Sequence, residues 1–283
     1  MRHQSPVAAL VTGLAMLLFA AGATSLAAQE SHIGNLTGNA ASGKKLYRRY
    51  CVGCHGPDGD GNGENAQWID PKPRDFTAGL FKCRSTPTGT LPTDQDLFNA
   101  MSRGFVTTNM PIWEPLAAQN RADLVAYIKT FSPRFASEKP GTPITIPPEP
   151  AVTIDGILRG RATFQKLECW KCHGPAGHGD GPSASTLTDS KDNPIRPYNF
   201  AAGIPRFMCG VSNQDIYRDF MTGLDGSPMP SFADQLQPSE AWDLVHFLRT
   251  LQPMDTPEAL IWRQWVATHG SELKPIGADN GGM

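Results

Sequence analysis

The chain has 283 residues, 40% of them hydrophobic, which is enough for two modest domains rather than one large one. Lys and Arg number 25 against 27 Asp and Glu, and no basic run stands out, which excludes a nucleic-acid-binding surface. With 28 Gly and 25 Pro the chain is rich in turns, and little sheet is expected.

Residues 1–28 read as an export signal. Arg2 and His3 form a short basic start, Val7 to Ala23 is almost wholly apolar, and Ser25-Leu26-Ala27-Ala28 offers small residues for cleavage near Ala27 or Ala28. The run is also long enough for an uncleaved membrane anchor, although Gly13, Gly22, Thr24 and Ser25 interrupt it. Either reading puts the bulk of the chain in the periplasm, with membrane contact only through that leader or a membrane-bound partner.

A first domain is expected over 29–139. Its first helix runs from about Ala40 to Tyr50 and leads directly into Cys51-Val52-Gly53-Cys54-His55. A Gly/Asp-rich loop follows, and a middle helix starts at Thr93, a suitable N-cap ahead of acidic first-turn residues. Thr108-Asn109-Met110-Pro111 then precedes a last helix from about Asn120 to Phe131, whose Leu124, Val125, Tyr127, Ile128 and Phe131 form a one-sided apolar stripe. Residues 140–154 form a linker. Five prolines between Pro140 and Pro150 forbid a helix and predict an extended, fairly stiff connector.

The second domain, 155–255, repeats the first. A helix over Asp155 to Glu168 leads into Cys169-Trp170-Lys171-Cys172-His173, with one more residue between its glycine and the motif than in the first copy. His55-Gly56-Pro57 matches His173-Gly174-Pro175, and Asp94-Gln95-Asp96-Leu97-Phe98 matches Asn213-Gln214-Asp215-Ile216-Tyr217 after its N-cap Ser212. Ser227-Pro228-Met229-Pro230 stands where the first copy has its Met-Pro step, and a last helix covers Ser239 to Leu251. Such near-constant offsets are the mark of a duplicated domain. Beyond it, in 256–283, Pro257 to Thr268 predicts a further helix with Trp262 and Trp265 on one face, packed on the second domain. Residues after Lys274 are expected to be disordered.

The two C-x-x-C-H motifs carry the chemistry. Two thiols at this spacing can form thioethers to the vinyl groups of one haem, and the adjacent His can then ligate the iron. A redox-active dithiol would need a strand before the motif rather than a helix, and a zinc site would need a second ligand pair close by. Cys51, Cys54, Cys169 and Cys172 are thus the expected attachment residues for two covalent haem c groups, with His55 and His173 as iron ligands. Haem also answers a composition problem, because each half is poor in aliphatic residues and the macrocycle supplies apolar core. Met110 and Met229 lie 55 and 56 residues beyond those histidines, at equivalent repeat positions, and are the expected sixth ligands. A thioether is a soft ligand that favours ferrous iron and raises the potential. Met101, Met208, Met221 and Met254 read as core filler, and His178 and His246, which lack repeat counterparts, as ordinary surface or core residues.

These motifs resemble tandem class I cytochromes c, the dihaem electron-transfer family that includes cytochrome c4-like proteins, over about residues 40–133 and 155–252. The resemblance implies an all-α fold of two tandem domains, each a few helices and long loops around one haem. It also implies a helix crossing in which Gly43 and Tyr47 meet Tyr127, and Gly160 and Phe164 meet Phe247. Pro73 and Pro197 are the candidates to offer a backbone carbonyl to the ligand histidine and so orient its ring. Redox proteins, one donor and one acceptor, are the implied partners, and single-electron transfer the implied function, either as a free carrier or as the cytochrome subunit of a larger oxidoreductase. Three readings stand for the leftover Cys83 and Cys209: a disulfide between the halves, two buried thiols, or a thiolate ligand to one iron. The third matters because dihaem thiosulfate-oxidising enzymes resemble this architecture with a cysteine at one iron. A thiosulfate dehydrogenase-like or peroxidase-like enzyme with a labile or Cys-ligated haem is therefore the alternative function.

Overall fold

The computed structural model describes residues 30–105, 108–203 and 208–277; the expected leader and the last six residues lie outside them. A short hairpin comes first, β1 (Glu30–Ile33) paired antiparallel with β2 (Leu36–Asn39). The first half then contains α1 (Ala40–Tyr50), α2 (Val52–His55), α3 (Asp94–Arg103), α4 (Ala118–Lys129) and α5 (Arg134–Ser137). The second contains α6 (Ile154–Lys166), α7 (Trp170–His173), α8 (Asn213–Thr222), α9 (Pro238–Thr250) and α10 (Pro257–His269). The architecture is all-α apart from the hairpin, with two helical domains in tandem.

Local chemistry sets the helix starts. Asn39 Oδ1 accepts from the amides of Ala41 and Ser42 to open α1, and Thr93 with Asp96 and Ser212 with Asp215 form reciprocal capping boxes at α3 and α8. In each half the first helix crosses the last at closest range through a glycine. A Cβ on Gly43 would stand 1.9 Å from the Asp123 carbonyl oxygen, and one on Gly160 would stand 1.9 Å from that of Asp243. Edge-on aromatic pairs flank both crossings, Tyr47 with Tyr127 at 5.3 Å and Phe164 with Phe247 at 5.4 Å.

The extra residue of the second copy does not disturb this. Cys51 N donates to Tyr47 O four residues back, whereas Cys169 N donates to Phe164 O five back, and Glu168 takes a left-handed φ of 56°. The insertion is absorbed in that wider turn, after the crossing. Because each glycine faces backbone rather than a movable side chain, Gly43→Ala or Gly160→Ala must push the helices apart. Either substitution should destabilise the haem-loaded protein by ~3 kcal/mol, read as a fall in the denaturant midpoint at unchanged slope.

The halves are joined at several points. Cys83 and Cys209 form a disulfide, which selects one of the three readings open for them. Next to it Arg84, 1% exposed, donates to the Phe81 carbonyl within its own half and crosses the boundary to the Thr222 carbonyl and Asp225 Oδ1. The linker is extended but it is not a free spacer. Gly141 N bonds Leu91 O, Ile144 N bonds Ser85 O, and Glu149 Oε1 accepts from Asn213 Nδ2 and meets His246 Nε2 at 3.1 Å. His246 is therefore a buried structural residue.

The C-terminal segment corrects one expectation. The α10 helix packs on the second half, with the Trp262 ring edge-on to Phe247 and stacked on Trp265. The chain stays docked past Lys274: Arg161 Nη2 donates to Lys274 O, Ile276 joins the second core, and Gly277 N donates to Gln165 Oε1 at 2.7 Å. Partners on α6 hold a segment that has no periodicity of its own.

Candidate haem-binding sites

In each half the first helix ends against the attachment motif, and a single further helical turn carries the motif itself. Cys54 N and His55 N both donate to Cys51 O, and Cys172 N and His173 N to Cys169 O. Residues i, i+3 and i+4 of such a turn share a face, so the two thiols and the imidazole are presented together. Burial raises the Cys51 and Cys169 thiols to about 12 and also raises Cys172. That is opposite to the lowered values of a redox dithiol.

The histidines are oriented from behind. His55 Nδ1 lies 3.0 Å from Arg74 O, and His173 Nδ1 lies 3.0 Å from Tyr198 O. A carbonyl only accepts, so Nδ1 carries the proton and Nε2 keeps its lone pair for a metal. The expected carbonyls of Pro73 and Pro197 are thus each off by one residue. Those oxygens point instead at the loop glycines Gly61 and Gly179, where a Cβ would come within 2.6 and 2.9 Å of them. Phe76 stacks on the His55 ring at 4.4 Å and Phe200 lies against His173 at 4.8 Å. Burial lowers both imidazole pKa values, only partly opposed by the carbonyl bonds, which favours the neutral, ligating form.

In the first half these groups open onto a cavity of about 390 Å³. Its walls include Cys51, Cys54 and His55, the apolar Phe76, Phe81, Leu97 and Ile128, and Met110 with Pro111. Phe105 N donates to Met110 O, and Met110 N to Thr108 Oγ1, which brace the methionine loop. The second half repeats the brace: Leu224 N donates to Met229 O and Met229 N to Ser227 Oγ. Met229, like Cys169, Trp170 and Tyr198, packs against the second core. Cys209 and Cys83 are consumed by their disulfide, which leaves neither as a thiolate ligand. His178 is exposed.

Two lining residues escaped the sequence reading. Met208, read as filler, reaches the first cavity from the second half of the chain. Lys82 lines the same cavity, and burial lowers its pKa to about 8. Both flank the disulfide cysteines in sequence, so the Cys83–Cys209 bridge is the signal that would have drawn attention to them.

The donor set fits haem: paired thiols and a neutral imidazole on the wall of an apolar cavity. The cytochrome c family profile matches the chain twice, over residues 40–132 and 157–252. The chain belongs to the cytochrome c family. It is a dihaem cytochrome with two covalently bound haem c groups, one per domain. Among solved structures, a chain of the Kuenenia stuttgartiensis reducing HAO-like protein complex Kustc0457/Kustc0458 is similar at 42% identity and a TM-score of 0.73, covering 75% of this cytochrome and 96% of that chain. No curated protein matches the cytochrome. Among the described residues no helix is long and apolar enough to cross a membrane.

Proposed function

We propose that this cytochrome is an exported, periplasmic electron-transfer protein whose haems are both closed by one histidine and one methionine. Cys51 and Cys54, and Cys169 and Cys172, hold the two groups through thioethers. His55 and His173 would ligate the two irons, with Met110 and Met229 as the further ligands. The observation that carries this reading is the wall of the first cavity, to which Cys51, Cys54, His55 and Met110 all contribute. The second methionine loop is braced by the same bonds at the repeat-equivalent position.

Bound haem supplies a one-electron iron couple; the chain's task is to hold it, tune it and keep it closed to other ligands. The Arg74 and Tyr198 carbonyls fix imidazole tautomer and ring angle, and the apolar walls exclude water. Closed His/Met coordination is what a carrier needs, whereas an enzyme working on peroxide or thiosulfate needs an open or labile position. With Cys83 and Cys209 paired, the cysteine-ligated alternative loses its ligand. Likeness to a chain of an HAO-like complex supports a role as the cytochrome subunit beside a larger redox protein.

Magnetic circular dichroism and visible absorption of the oxidised protein test the assignment. Two low-spin haems, each with a sulfur-to-iron charge-transfer band, are expected. A high-spin or thiolate-type signal at either iron would instead favour the enzyme.

A further inference from the structure

The two haem sites are built alike but presented differently. Five large hydrophobic side chains are strongly exposed among the described residues, and three of them belong to segments that line the first cavity: Trp68 at 75%, Ile112 at 50% and Tyr50 at 37%. Tyr50 lines the cavity and lies 5.4 Å from the Trp113 ring, while Ile69 and Trp113, next to Trp68 and Ile112, line it too. The same backbone bonds identify their repeat counterparts. Trp68 N bonds Asn65 O as Thr186 N bonds Ser183 O, and Trp113 N bonds Met101 O as Phe232 N bonds Phe220 O. Trp68 thus corresponds to Thr186 and Ile112 to Ser231, while Tyr50, three residues past the crossing aromatic, matches the partly buried Leu167, with the extra Glu168 between it and the motif. At each of these positions the second half exposes less apolar surface than the first.

Charge and cover follow the same division. Lys44, Lys45, Arg48 and Arg49 are exposed on α1, which leads into the first motif, and none of them makes an ion pair with the described residues. Arg49 lies over the Tyr50 ring. Carboxylates are present as well, Asp70 and Glu114 next in sequence to lining residues and Asp58 acting on Tyr127 together with Arg48, but none of them forms an ion pair with the α1 cations. In the second motif Lys171 is held by Glu168, and on the equivalent helix α6 Lys166 is exposed without an ion pair among the described residues, whereas Arg159 is held by Asp243 and Arg161 by the Lys274 carbonyl. That last contact belongs to the C-terminal segment, which also lies on the second motif: a Cβ on Gly277 would be 3.2 Å from the Trp170 ring.

We propose that the first domain is the docking face of this cytochrome, and that its partner is a redox protein whose own centre lies in an apolar surface flanked by carboxylates that meet α1. The second haem then exchanges electrons chiefly through the first. An apolar patch ringed by uncompensated charge is the pattern expected of a transient interface, with charge setting the encounter rate. The proposal rests on the carrier reading and adds to it the face and the partner's chemistry.

Reduced plant-type ferredoxin, a small, strongly acidic one-electron donor, serves as the probe in anaerobic stopped flow with the oxidised dihaem protein. Each transfer oxidises one ferredoxin cluster and reduces one haem. The second-order rate constant should fall as salt rises, and R48E/R49E should lower it at least about threefold at low salt. Trp68→Ser should slow transfer while keeping the salt dependence. Lys166→Glu, on the matching helix of the second half, should leave the rate unchanged. Slowing by Lys166→Glu as large as by R48E/R49E, or a rate indifferent to salt and to all three variants, overturns the docking face while leaving the carrier intact. No transfer at any salt overturns both.

Discussion

Met110→His and Met229→His should each abolish one of the two sulfur-to-iron bands and lower the potential of one haem only. The fall should be a few tenths of a volt, within the ~0.8 V over which axial ligands move haem potentials. The sign follows from ligand softness: a thioether stabilises ferrous iron, and imidazole, a harder and better donor, stabilises ferric. Histidine is the informative substitute because it keeps the iron low-spin, so loss of the band separates from loss of the haem. The braces at Thr108 and Ser227 bond the methionine backbone and stay available to the variant. Redox titration with visible spectra resolves the two haems. If either variant kept both bands and both potentials, the methionine assignment in that half would be wrong, although thioether attachment would stand.

Much of this was legible in the chain because covalent haem attachment demands a fixed spacing, and duplication states that demand twice. Capping at Thr93 and Ser212 and the helix before each motif follow from local patterns that the fold preserves, whereas the glycine crossings were implied by the family resemblance. What failed was long-range or subtractive. The carbonyls behind His55 and His173 come from Arg74 and Tyr198, at separations of 19 and 25 residues, so no common offset could mark them. Sequence offered the prolines as landmarks, but the oxygen that reaches the ring belongs to the next peptide. The β1–β2 hairpin passed unnoticed since four-residue strands show no usable alternation; Gly34-Asn35 at its turn was the available signal. Gly277 and Lys274 are held by Gln165 and Arg161, more than a hundred positions away. Such contacts depend on where the folded helices put their partners, not on any property of the tail.

Arg84→Ala should cost about 3 kcal/mol of stability, toward the lower end of what removing one partner of a buried ion pair costs. The Arg84 side chain is fully buried and that of Asp225 is 10% exposed, so Ala would strand a carboxylate in the boundary between the halves. Asp225 still accepts from Thr88 Oγ1 and Gly89 N, which tempers the loss. Asp225→Asn in the Arg84→Ala background should therefore recover part of it, the coupling expected of contacting residues. The disulfide at Cys83–Cys209 spans 126 residues and sits beside this pair. Closing a loop that long is worth ~5 kcal/mol by chain entropy. With the bridge intact, Arg84→Ala should unfold in one lowered transition. With it reduced, the halves keep only the linker and a weakened interface, and calorimetry should resolve two transitions. A single unchanged transition in reduced Arg84→Ala would mean that the linker contacts at Leu91, Ser85 and His246 suffice to couple the domains. The bridge and the ion pair would then matter for the geometry between the haem sites rather than for folding.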